Sequence, residues 1–397
     1  MRRLQVYEPR ERALVRAADA ALSPLAWLAR SGSRPAGDPR RVLLLRLERI
    51  GDLLMVIDAI RDARVCWPTA EIDLAVGSWN APLARLLPEV TAIYVVDAPW
   101  LARGATRTSW SHLVRQARAW RLPAYDLVVN FEPDIRSNFL AWLSGAPRRA
   151  GYWSGGGGAF LTDAAEYAPM THVSENARQL IARAAGRTPP APPGGPTFPR
   201  LRVPADAVAR ASAVLANARG PLVGVHVSGG RESKQWHLDR FAAVARDLAG
   251  ARRATIVLTG ADADRPLVQT VKDRLGDIPA IDAAAGLDLP ATAALLGRLD
   301  LFITSDTGPM HLAAAMGTPV VALFGPSHPE RYGPRARLER ILRVDLPCSP
   351  CGRVRLPPER CRGHVPDCMD GITVAAVLRA SAELLDAARP ADRAARS

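Results

Sequence analysis

The stretch RVLLLRLERIGDLLMVIDAI, residues 41–60, reads as one strand, one tight turn and one helix. An apolar run ends near Leu47, Gly51 permits the turn, and Asp52 opens the helical pattern that follows. A strand feeding a helix in this way is the repeating unit of a parallel α/β sheet. Aspartate is a preferred helix N-cap, a role worth about 1 kcal/mol, and that role alone would account for Asp52. The alternative is functional. Ligands of α/β proteins bind outside the carboxyl ends of the strands. A carboxylate placed there can accept a proton from an attacking hydroxyl, and a helix N-terminus keeps it ionised. The segment is not a dinucleotide fingerprint, because it has one glycine where G-x-G-x-x-G needs three.

The same alternation runs outward along the chain. Further strand candidates in the first half are 71–77, 92–97 and 125–131; in the second half they are 221–227, 254–260, 300–304 and 319–325. Alanine-rich helical stretches separate them. Between the halves lies RTPPAPPGGPTFPRLRVP, residues 187–204, whose prolines and glycines suit neither sheet nor helix and mark a linker. The expected organisation is therefore an N-terminal extension at 1–40, a Rossmann-like domain with its linker at 41–204, and a second Rossmann-like domain at 205–397. Two such α/β domains facing a central cleft suit an enzyme whose substrates meet between them. In the extension, RERALVRAADAALSPLAWLAR makes an amphipathic helix with arginines on one face and Leu, Ala and Trp27 on another. It either packs on the first domain or lies against a membrane surface.

Composition bounds the function. No run of about 18 apolar residues suggests a membrane span, and Asp19 and Pro24 interrupt the N-terminal apolar run, so a signal peptide is not expected. The expected location is cytoplasmic, with a peripheral place on the inner face of the cytoplasmic membrane as the alternative. The net charge of +13 invites a nucleic-acid partner. Nearly all of it is arginine, scattered without interleaved aromatics, and lysine occurs only at Lys234 and Lys272. No recognition motif accompanies it, so nucleic acid is not expected. Anionic lipid headgroups or an anionic acceptor fit this charge better.

Three loops and a cysteine cluster carry possible chemistry. TSDTGPMHLAAAMG, residues 304–317, places Asp306, Thr307 and Gly308 at a helix start, with Pro309 in the first turn and His311 just beyond. Free N–H groups and the positive end of the helix dipole suit a phosphate there; an ordinary cap with a half-exposed histidine explains the residues equally well. HVSGGRESKQWHLDRF, residues 226–241, offers the small residues Ser228, Gly229 and Gly230 and the cation of Lys234. The third loop is ALFGPSHPERYGP, after the strand at 319–325. The run Gly155–Gly158 lacks P-loop spacing and reads as a flexible loop. Cys348, Cys351, Cys361 and Cys368 cluster with His364, while Cys66 stands apart. Metal ligation, free thiols and disulfides all remain open for the four, with tetrahedral zinc or iron as the metal reading.

At these motifs the chain resembles glycosyltransferase family 9, the heptosyltransferases of the lipopolysaccharide inner core. The resemblance runs from about residue 41 to 384 and rests on LLLRLERIGDLLM, YDLVVNFEPDIRSNFLAWLSGAPRRAGY, DTGPMHLAAAMGTPVVALFGPSHPERYGP and CSPC…C…H…CMDGIT. It implies a GT-B fold, a nucleotide-sugar donor such as ADP-heptose, a glycolipid or envelope-glycan acceptor, and inverting transfer without a catalytic metal. Under that resemblance Asp52 is the general base and Lys234 contacts the donor pyrophosphate. Asp306, Thr307, Gly308 and His311 hold phosphates and sugar, Asp264 in TGADADRP binds ribose hydroxyls, and Arg136 meets the acceptor. Some members bind iron through a cysteine finger, which implies a structural metal at the four cysteines. The chain departs from the family pattern at Glu48, Arg49 and Ile50, where small hydroxyl residues are common. It departs again at Asn130 and Glu132, where aspartate and glutamine are usual. These positions bear on acceptor and donor sugar. Alternatives are a different donor sugar, a protein acceptor, an epimerase of the same fold, or a nucleotide-sugar-binding protein without transferase activity.

Overall fold

The computed structural model describes residues 4, 9–28, 37–101, 109–189, 198, 200–284, 286–354 and 357–388. The chain divides into two compact units, Met1–Gly195 and Pro196–Ser397. In the first, β1 (Arg41–Arg46), β2 (Glu71–Val76), β3 (Ala92–Val95), β4 (Leu127–Asn130), β5 (Arg148–Tyr152) and β6 (Asp163–Ala165) form one sheet in the order β3-β2-β1-β4-β5-β6. In the second, β7 (Leu222–His226), β8 (Thr255–Thr259), β9 (Ala280–Asp282), β10 (Leu301–Ser305), β11 (Val320–Leu323) and β12 (Glu339–Leu342) are ordered β12-β11-β10-β7-β8-β9. All pairings within both sheets are parallel. Read from its own first strand, the second sheet repeats the order of the first. Each order reverses between two central strands, β1 with β4 and β7 with β10. A crevice opens outside the carboxyl ends at such a switch point.

The central strands are apolar because helices cover both faces. Val42, Leu43, Leu44 and Leu45 of β1 have no exposure. Leu43, Leu45 and Val128 pack with Leu113, Trp120 and Leu140 in the first unit. In the second, Val223, Val225, Ile256 and Ile303 pack with Trp236 and Phe241. The Trp236 indole N–H donates to the Ile372 carbonyl at 3.0 Å, which satisfies its one polar atom inside this core.

All eight strands expected from the sequence form, each within about two residues of the expected ends. Four more were not foreseen: β5, β6, β9 and β12. Three of them are sheet edges, and their sequences RRAGY, DAA, AID and ERIL lack a β-branched run. Pairing with a strong neighbour, rather than propensity, makes them strands.

The N-terminal helix Pro9–Leu28 forms as expected. The Gly157 N–H donates to Asp19 Oδ1 at 2.9 Å, and Val15 lies against Gly156. The helix thus packs on the first unit. Its outward stripe, Arg10, Leu14, Ala17 and Ala21, mixes arginine with apolar residues instead of separating them into faces. The Gly155–Gly158 run is not a loose loop. A Cβ on Gly155 would fall 1.8 Å from the Pro133 carbonyl oxygen, so glycine is what lets this segment press against the loop after β4. The N-terminal residues 1–3, 5–8 and 29–36, the Trp27 side chain, and residues 190–197 and 199 of the expected linker lie outside the described residues. Among the described residues no helix is long and apolar enough to cross a membrane.

Candidate functional site

At the carboxyl edge of the first sheet, β1 runs into the short helix Ile50–Leu54. Asp52 is its third residue and not its N-cap. Its Oδ2 accepts the Arg49 N–H at 3.0 Å, so it caps from inside the first turn. Its other oxygen, Oδ1, faces Arg46 Nη2 at 3.3 Å, and the side chain keeps 27% exposure. The carboxylate is therefore both held and reachable, and the capping role does not exclude a chemical one.

Arg46 closes β1 with a side chain only 3% exposed. Its guanidinium donates to the Asp52 carbonyl (3.1 Å) and to the Phe131 carbonyl (3.0 Å), and pairs with Glu48 Oε2 at 3.0 Å. Burial works to lower its pKa, but Glu48, Asp52 and Glu132 outweigh that and hold it above its ordinary value. Glu132, after β4, is 2% exposed. Its Oε1 accepts the backbone N–H groups of Leu47 (2.5 Å) and Glu48 (3.1 Å). Trp79 Nε1 and Asn80 Nδ2 both donate to the Glu48 carbonyl, at 2.6 and 2.8 Å. Arg136 stands on the helix Ile135–Leu143 at the same edge, bidentate on Asp134 and stacked 4.8 Å from the Trp100 ring.

At the carboxyl edge of the second sheet, the loops after β7 and β10 meet. Lys234 Nζ donates to the Asp306 carbonyl at 2.5 Å and pairs with Asp306 Oδ2 at 3.2 Å. Its ammonium carries three donors. The loop holding it folds tightly at Gly229, where a Cβ would lie 2.6 Å from the Lys234 carbonyl carbon. Thr307 is the N-cap of the helix Gly308–Ala315, yet its side chain makes no cap hydrogen bond. The Thr307 hydroxyl lies 3.1 Å from that of Thr304 instead. Pro309 occupies the second helical position, and His311 is buried on the same helix. One strand further on, Asp264 follows β8, and its Oδ2 accepts the Ala261 N–H at 2.9 Å. His226, at the end of β7, sits 3.1 Å from the Thr259 hydroxyl. Burial pushes this imidazole down to about 4, against an opposing pull from Asp264, so it is neutral at pH 7.

The structure thus joins Lys234 directly to Asp306, sets Thr307, Gly308 and His311 on the adjoining helix start, and places Asp264 on the neighbouring loop. Sequence reasoning missed Arg46, Trp79, Asn80, His226 and Thr259, and saw Glu132 only as a departure from a pattern. A charged residue ending an apolar strand was the available signal for Arg46.

The structural zinc or iron suggested at Cys348, Cys351, Cys361 and Cys368 finds no support. Among the described residues, no group of three or more His, Cys, Asp or Glu side chains is arranged to hold a metal ion. Cys348 is exposed and Cys368 buried, and none of the four is in a disulfide. Burial, reinforced by Cys351, Cys361 and Cys348, pushes the Cys368 thiol up to about 11.

Comparison with known proteins bears on this edge chemistry. The family model described as glycosyltransferase family 9 (heptosyltransferase) matches residues 113–358. The lipooligosaccharide heptosyltransferase 2 of Haemophilus ducreyi is 25% identical over 324 residues, covering 77% of this chain and 88% of that protein. The solved structure of a family 9 glycosyltransferase from Veillonella parvula is 23% identical with a TM-score of 0.73, covering 88% of this chain and 97% of its own. That of the Escherichia coli ADP-heptose lps heptosyltransferase II is 20% identical with a TM-score of 0.69, covering 87% of this chain and 99% of its own. At these identities the solved structures speak to the fold, which is the GT-B arrangement of two Rossmann-like sheets.

Proposed function

The chain belongs to glycosyltransferase family 9, and from that premise we propose that it transfers heptose from ADP-heptose to a hydroxyl of a lipopolysaccharide core or a related envelope glycan. The observation that carries the donor half is the Lys234–Asp306 pair at the switch point of the second sheet, beside a helix start with no side-chain cap. The similarity to a lipooligosaccharide heptosyltransferase and to an ADP-heptose lps heptosyltransferase supports the sugar and the nucleotide.

On this reading the second unit holds the donor. Lys234 and the start of helix Gly308–Ala315 meet the diphosphate, Asp306, Thr307 and His311 hold phosphate and sugar, and Asp264 takes the ribose hydroxyls. The first unit holds the acceptor, with Arg136 among its contacts. Asp52 takes the proton of the acceptor hydroxyl as its oxygen attacks the anomeric carbon. The bond from that carbon to the diphosphate oxygen breaks with inversion, and Lys234 and the helix dipole stabilise the charge left on ADP. Every step draws on protein groups. The reading puts the protein in the cytoplasm, with Arg10, Leu14 and Arg16 on the outward side of its N-terminal helix as the place for peripheral contact with an anionic membrane.

The test is calorimetric titration of ADP-heptose, with UDP-, GDP- and TDP-linked sugars as controls, into the protein and a Lys234→Ala variant. Selective binding of ADP-heptose, weakened roughly 10- to 150-fold in the variant, is expected for a lost charge-assisted contact. Selective binding of another nucleotide sugar discards heptose. No binding of any of them discards the donor site.

A further inference from the structure

We infer that Glu132 is a positioning residue for the transfer: from the loop after β4 it clamps the turn that carries Asp52. This rests on the proposed role of Asp52 as base. One carboxyl oxygen, Oε1, accepts two successive N–H groups of that turn, those of Leu47 at 2.5 Å and Glu48 at 3.1 Å. The clamp is itself braced. Asn130 accepts the Glu132 N–H through Oδ1 at 3.1 Å and donates through Nδ2 to the Glu132 carbonyl at 3.1 Å. Asn130 Nδ2 also reaches Ser137 Oγ at 3.0 Å and Asn138 Oδ1 at 2.8 Å on the helix Ile135–Leu143. A buried polar ladder thus runs from that helix, through Asn130 and Glu132, to the turn before Asp52. Deleting the Glu132 acceptor orphans two backbone donors and frees the turn.

The charges around Glu132 decide its state. From β1 and its turn it faces Arg46 and Glu48, with Asp52 also on Arg46; from its own loop and the helix after it come Asp134 and Arg136, which pair with each other. Tyr167 and Tyr152 lie beyond Arg46, and burial pushes the Tyr152 phenol up. A single buried guanidinium therefore serves Glu48, Asp52 and Glu132. Burial and the neighbouring Glu48 push the Glu132 carboxyl up to about 8. Its folded-state pKa lies above the ordinary 4.5. The stability it contributes is thus complete below 4.5 and is lost as pH rises through about 8.

The experiment compares Glu132→Leu and Glu132→Gln with the unaltered chain. Glu132→Leu is expected to lower kcat about 100-fold, the scale of an ångström-level misplacement, while the donor Kd is unchanged. Glu132→Gln keeps an acceptor oxygen in place and is expected to recover most of that loss. Independently of activity, Glu132→Leu should melt below Glu132→Gln at pH 5, because only leucine orphans the two N–H groups of the turn. Unchanged kcat in Glu132→Leu, or equal melting temperatures of Glu132→Leu and Glu132→Gln, would overturn the inference. Should the unaltered chain transfer no sugar at all, the reading of Asp52 as base fails, and the melting comparison still judges the clamp.

Discussion

Arg46 is the residue on which the first edge depends. Its guanidinium is almost wholly out of water and is the cation shared by Glu48, Asp52 and Glu132. Breaking such a pair from one side leaves buried charge uncompensated, at a cost of about 3–5 kcal/mol. Arg46→Met is therefore expected to lose about that much stability, read as a lower midpoint in urea; a loss within 1 kcal/mol would show that the carboxyl cluster does not need it. Site residues differ in how legible they were. Asp52, Lys234 and Asp306 stand out because each is a charged residue in a short turn after an apolar strand. The contacts that brace the turn before Asp52 were hidden: Arg46 meets Phe131, and Glu132 meets Leu47, across 85 residues of sequence. Only the placement of β1 beside β4 brings them together, and no local pattern encodes that neighbourhood.

At the scale of elements, the glycine run shows what spacing rules cannot see. As a motif it matched nothing, yet Gly155 is where one loop presses on the backbone of the loop that carries Glu132. Gly155→Ala forces a Cβ to within 1.8 Å of the Pro133 oxygen. Overpacking of this kind costs about 3 kcal/mol, which for a unit of this size lowers its melting temperature by roughly 6–12 °C. Calorimetric melting of the variant reads it, and an unshifted transition would mean that the two loops part freely. The central strands were legible because both their faces are covered and their sequences are continuously apolar. The strands β5, β6, β9 and β12 were not, since Arg, Ala, Gly and Asp adopt β structure there only through a neighbour's hydrogen bonds. The cysteine spacing was visible too, but spacing alone does not assemble a tetrahedral site, and among the described residues none is assembled.

Across the whole molecule, one strand order is used twice, and each unit sets a largely buried ion pair at the switch point of its own sheet, Arg46–Asp52 in the first and Lys234–Asp306 in the second. The proposed labour divides along the same line: the acceptor and its base on the first unit, the donor and its phosphate contacts on the second. This division has a consequence that a shared site in one unit would not have. Damage to the base should leave donor binding intact. The decisive measurement is therefore turnover of Asp52→Asn set beside its donor affinity in one preparation. Asparagine keeps the size and the capping oxygen of Asp52 but takes no proton. A kcat lower by roughly 10²–10⁴-fold, the usual scale of general-base catalysis, is expected with an unchanged Kd for ADP-heptose. Turnover within a few fold of the unaltered chain would contradict it.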